Sequence, residues 1–169
     1  MNQVLLSTEL TFAELKFLLS DLNNDDYSKS LTMLSDNTVG KHVRHIIEMY
    51  HCLINTYDNG TVDYDKRERN STIEIDSSVA IENLLQILQT ISNKEDKALL
   101  LNSYYDFYAT APETIQTTFH RELAYALEHC IHHMAIIRIA VESNFPYLKV
   151  APTFGVATST LRYIDQCAQ

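Results

Sequence analysis

Residues Thr117 to Ser143 read TTFHRELAYALEHCIHHMAIIRIAVES. Neither glycine nor proline interrupts the run, and its apolar residues recur at helical spacing, which predicts one long helix. Its second half, Met134 to Val141, is apolar on nearly every side apart from Arg138. A helix that is hydrophobic all round is buried all round, so this segment is expected to be the central helix of a helical fold. The apolar run is far shorter than the roughly 20 residues a membrane span needs.

Working outward, three further amphipathic helices are predicted. One covers Ser77 to Ser92, with Val79, Leu84, Leu85, Ile87, Leu88 and Ile91 apolar. Another covers Val39 to Tyr57, with Val43, Ile46, Ile47, Tyr50, Leu53 and Ile54 on a broad apolar face. Asp36 or Thr38 caps its start, and Asn59-Gly60 closes it as a left-handed stop. The earliest covers Ser7 to Leu22, where Phe12, Leu15, Leu18, Leu19 and Leu22 repeat at helical spacing. Asn23-Asn24-Asp25-Asp26 opens a polar link, and residues 61–76 read as a solvated charged connection with short extended pieces at most. In the long link 93–116, Leu99-Leu100-Leu101 and Tyr104-Tyr105 make a strand or a crossing segment. Pro146 and Pro152 break the chain after the long helix, and Ser159 to Ile164 form a short final helix. Connections this long span a bundle from end to end. The expected fold is a single all-α domain over residues 1–169, a four-helix bundle with long crossover connections.

Composition points the same way. The chain has 169 residues, enough for one core, and only three Gly and three Pro. A β-sandwich or barrel of this length needs many tight turns that glycine makes. The same scarcity excludes P-loop and dinucleotide-binding glycine loops. A net charge of −9 disfavours nucleic acid and anionic membranes as partners. Met1 to Leu10 lacks the basic start of a signal peptide, and Cys52, Cys130 and Cys167 read as reduced thiols. The expected location is cytoplasmic.

Seven histidines are unevenly placed. His42, His45 and His51 lie close together in one helix; His120, His129, His132 and His133 lie in the long one. Residues four apart share a helix face, so His129 and His133 can hold one metal together. Glu122, Ala126 and Ala140 share their stripe, and the alanines leave room beside the imidazoles. His132 points away from the pair. A third ligand has to come from another helix. His51 sits on a polar side with Arg44 and Glu48, whereas His42 and His45 both border the apolar face. Periodicity does not separate these two and slightly prefers His42. Glu48-Met-Tyr-His51 is the chain's one Glu-x-x-His motif, too few for a di-iron carboxylate site.

Two segments resemble the motifs of DinB-like proteins. Thr38-Val-Gly-Lys-His-Val-Arg-His45-Ile-Ile-Glu48 is similar to their second-helix motif, and His129-Cys-Ile-His132-His133 to the H-x-x-H-H of their fourth helix. The resemblance implies a four-helix bundle with up-down-down-up connectivity and one divalent transition metal (zinc, nickel or iron) held by His45, His129 and His133. It chooses His45 over His42. Many members continue the second motif with Arg-Gly-Gln, where Met134-Ala135-Ile136 stands here, so contacts made from that place do not carry over.

The resemblance implies a metal-dependent enzyme of the thiol S-transferase or hydrolase type. Its substrate would be a small molecule, with a low-molecular-weight thiol as cosubstrate for the transferase form. Glu48, one turn after His45, and Glu122, on the ligand stripe, are candidate bases or groups orienting the ligands, although each also reads as a solvated surface acid. The alternative is a non-catalytic helical dimerisation or binding module with a structural or vestigial metal. The apolar girth of the long helix fits a homodimer as well as a monomer's central helix.

Overall fold

The computed structural model describes residues 3–168. In chain order the elements are α1 (Gln3–Asp21), α2 (Asn24–Tyr27), α3 (Val39–Asn55), β1 (Thr61–Val62), α4 (Ser71–Ile75), α5 (Ser77–Ile91), β2 (Ala98–Ser103), β3 (Glu113–Thr118), α6 (Phe119–Asn144) and α7 (Thr158–Cys167). The fold is therefore not the expected all-α four-helix bundle. The described residues form seven α-helices and a mixed three-stranded sheet of order β1-β2-β3. β2 and β3 are antiparallel, with Leu100 opposite Gln116, and β1 runs parallel to β2, with Thr61 opposite Leu100. The scarcity of glycine argues against many tight turns, but β2 and β3 are joined by the long loop 104–112, which needs none. Thr114, Ile115, Thr117 and Thr118 are β-branched and suit a strand, so the long helix starts at Phe119 and not at Thr117.

α3 packs against α5 and α6, and α1 packs against the same two helices from the other side. The seam is apolar. Val43, Ile46, Ile47 and Leu53 of α3 meet Leu123, Ala126, Ile137 and Ala140 of α6 in one core with Phe12, Leu15 and Leu19 of α1 and Leu84 and Ile87 of α5. Thr38 caps α3 by accepting from the Lys41 N–H at 2.9 Å, and Thr118 caps α6 through the Arg121 N–H. These caps set where each helix starts, and so the phase of the histidines along it.

The two links beside α3 are ordered, contrary to their reading as polar connections. In the first, Asn23 caps the single turn α2, and Tyr27 is buried with its hydroxyl donating to the Ile73 carbonyl at 2.7 Å. In the second, Val62 and Ile73 are core residues, and α4 lies on α3. Gly40 permits that approach, because a Cβ there would stand 2.0 Å from the Glu74 carbonyl oxygen. Gly40→Ala is expected to destabilise the protein by about 1–3 kcal/mol through overpacking against backbone. Equilibrium urea unfolding measures this, and an unchanged midpoint would refute the close contact.

After α6 the chain folds back, with Phe154 buried and Gly155, at a φ of 70°, pressed against the Ala135 backbone. Among the described residues no helix is long and apolar enough to cross a membrane.

Candidate metal centre

The packing of α3 on α6 brings four imidazoles together. The Nε2 atom of His129 lies 2.8 Å from Nε2 of His45 and 3.1 Å from Nε2 of His133. One ligand atom from each of the three lies within 4.8 Å of the others, so these three histidines, close together, could hold a metal ion. Ligand atoms at ~2.0–2.1 Å from a tetrahedral metal stand ~3.3 Å apart. The two distances that His129 makes would open by about 0.2–0.5 Å to accept such an ion. Among the described residues no fourth His, Cys, Asp or Glu joins the group. The donor set also suits a cation better than protons alone: each neutral imidazole carries one N–H and one lone pair, so three Nε2 lone pairs can share one electrophile.

His42, equally eligible on periodicity, has a different place. Its Nδ1 lies 2.9 Å from Nδ1 of His133. With the Nε2 lone pair of His133 turned into the cluster, the proton of that ring sits on Nδ1 and is donated to Nδ1 of His42. Such a partner fixes the tautomer and the ring orientation of a ligand. His42→Ala is expected to weaken metal affinity about 10- to 100-fold with the stoichiometry unchanged. Competition against a chromogenic chelator reads this, and an unaltered affinity would remove His42 from the site.

The surroundings keep the imidazoles neutral. Burial, reinforced by the charge of Arg67, holds His45 down to about 4, and burial with the neighbouring His45 and His129 holds His133 down to about 3. Burial lowers His42 and His129 as well. In the unfolded chain such rings titrate near ~6.5. Below that pH the unfolded state takes up protons that the folded state refuses. The stability tied to these rings is therefore complete above about pH 6.5 and is lost as pH falls toward the folded values. For metal-free protein, the urea midpoint is expected to fall between about pH 7 and about pH 5, and to fall less in His45→Ala/His133→Ala. Equal falls in the two proteins would contradict this assignment.

One side of the cluster opens into a cavity of about 270 Å³. His42, His45 and His133 line it together with Lys41, Arg44, Arg67 and Arg69. Sequence reasoning missed these cations, since residues 66–69 read as an ordinary charged surface. The one available signal was that Lys41 and Arg44 precede His45 by one turn and one residue.

Both candidate acids prove to be buried, which corrects their reading as solvated surface groups. Glu48 is 3% exposed and accepts from the Asn70 N–H at 3.0 Å, while Arg44 Nε and Arg67 Nε approach its two oxygens at 3.2 and 3.7 Å. Arg44 also pairs closely with Glu74. Glu122, fully buried, accepts from the Tyr64 hydroxyl at 2.9 Å, the Thr117 hydroxyl at 2.6 Å and Arg121 Nη1 at 3.0 Å. Burial and this carboxylate push the Tyr64 phenol up, so it stays a donor. Each acid has its oxygens occupied by donors that fix loops onto α3 or α6, and neither is among the metal-holding group.

His132 is exposed, as expected. His51 is half-buried, with its Nε2 2.8 Å from Asn83 Oδ1. His120 is half-buried near Asp96. Cys52 and Cys130 are buried free thiols whose pKa values burial raises, unlike nucleophilic thiols.

No family model matches the chain, and no solved structure matches it. Over 110 residues it is 37% identical to a protein of Rhizopus delemar named FK506-binding protein 5. That match covers 62% of this chain and 28% of the relative, so the chain spans less than a third of that protein's length.

Proposed function

We propose that the chain is a metal-dependent enzyme of the thiol S-transferase or hydrolase type, with one divalent transition metal held by His45, His129 and His133. The observation that carries this reading is the convergence of three Nε2 atoms from two helices beside an open cavity. The likeness of residues 38–48 and 129–133 to DinB-like motifs supports the same ligand set. A divalent metal with three neutral imidazole ligands supplies Lewis-acid chemistry for a water or a thiol. The chain's own residues do the rest. His42 holds the His133 ring in register, the Glu48 ion pairs hold Arg67 at the cavity wall, and Glu122 fixes the start of α6 to Tyr64.

The test has two stages. Untagged protein is analysed for metal, with about one divalent ion per chain expected. Metal-loaded protein is then screened for conjugation of a small electrophile to several low-molecular-weight thiols, and for hydrolysis of small esters and amides. Turnover that disappears with a chelator and returns with metal supports the enzyme. Full metal occupancy without turnover in any screen would overturn it in favour of a binding module.

A further inference from the structure

The cavity beside the histidines is cationic in a chain of net charge −9. Lys41, Arg44, Arg67 and Arg69 line it, and no Asp or Glu does. Two carboxylates outside the lining pair with the arginines, Glu74 with Arg44 and Glu48 with both Arg44 and Arg67. Lys41 Nζ donates to the neutral Asn37 Oδ1 at 2.6 Å. Among the described residues neither Lys41 nor Arg69 has a carboxylate within ion-pair distance, and both side chains are exposed at the cavity.

The position of Lys41 sharpens the point. It stands in the first turn of α3, where the helix presents its positive end and where acids are favoured, yet that turn carries no acid. A cation there works against the stability of the helix. Such local conflicts are expected where a residue serves a site. The positive end of α3, Lys41 and Arg69 thus add to one potential inside a concave surface, which focuses it. Three neutral imidazole ligands would leave the charge of a divalent ion uncompensated and add to it further.

We propose that this cavity binds a small organic anion, a carboxylate- or phosphate-bearing molecule, with its acid group held by Lys41 and Arg69 beside the histidine cluster. This rests on the metal reading for its catalytic meaning and gives that reading a substrate class. A cavity of about 270 Å³ suits a metabolite of modest size.

Calorimetric titration tests it, with succinate and inorganic phosphate as anionic probes and succinamide as the neutral counterpart of succinate. Each is titrated into cobalt-loaded and metal-free protein, for the parent and for Lys41→Gln/Arg69→Gln. Both substitutions are at exposed side chains, so folding is retained, and circular dichroism checks this. In the parent, succinate is expected to bind more tightly than succinamide. Both anions should weaken about tenfold in the double variant, in the range of two charge contacts. Cobalt uptake should be the same in both proteins. Anions that bind no better than succinamide, or equally well to the double variant, would overturn the proposal. Absence of cobalt uptake would instead overturn the metal reading, and the metal-free titrations would still decide the anion site.

Discussion

Replacement of His129 by alanine is expected to abolish metal uptake, from about one ion per chain in the parent to none at micromolar metal. His129 is the middle of the cluster, since its Nε2 is the atom that both His45 and His133 approach. Its loss leaves two imidazoles on different helices. Structural zinc sites with four ligands have apparent binding energies of about 10–16 kcal/mol. One ligand of such a set is worth about 3 kcal/mol, or at least ~100-fold in affinity. Alanine at His45 or His133 is expected to do the same. His132→Ala, at the exposed neighbour, is the control and should bind like the parent. Metal analysis after dialysis, together with the gain in melting temperature on adding metal, reads the difference. Retained stoichiometry in the His129 variant would exclude the assigned ligand set.

Glu48→Ala is expected to cost the most stability of any substitution near the site. The carboxylate is almost wholly buried, and its removal leaves Arg67 with only the Tyr64 carbonyl and Arg44 with only Glu74. Breaking a buried pair in this way costs about 3–5 kcal/mol. Both arginines retain some water, so about 3 kcal/mol is the expected loss, equivalent to a melting temperature lower by roughly 6–12 °C for a domain of this size. Glu48→Gln keeps an acceptor for the Asn70 N–H and should fall between the two. Thermal and urea unfolding of metal-free protein measure both. If Glu48→Ala melted like the parent, the carboxylate would not be the anchor of the loop at residues 67–70.

These acids show where sequence patterning stops. The apolar face of α3 was legible because Val43, Ile46, Ile47, Tyr50 and Leu53 recur at helical spacing, and all are buried. Glu48 shares that burial but reads as a surface residue, because its partners Arg67 and Asn70 lie far along the chain. His129 and His133 were legible as a pair, being one turn apart on one helix. The choice between His42 and His45 was not, since both face α6, one at the convergent nitrogens and one at the back of His133. The sheet was hidden for a different reason. β3 is largely exposed, and of the three leucines of β2 only Leu99 is buried, so neither strand shows a clean alternation.

The contacts that make the histidine cluster span 84 residues between His45 and His129 and 91 between His42 and His133. Contacts of such separation form only after loop-closure entropy has been overcome by the packing of α3 on α6. The cluster is therefore expected to form no earlier than the packing of α3 on α6. A ligand held there is expected to bind only once that packing is in place. It should act as a brake on unfolding, while the rate of refolding stays the same with or without it.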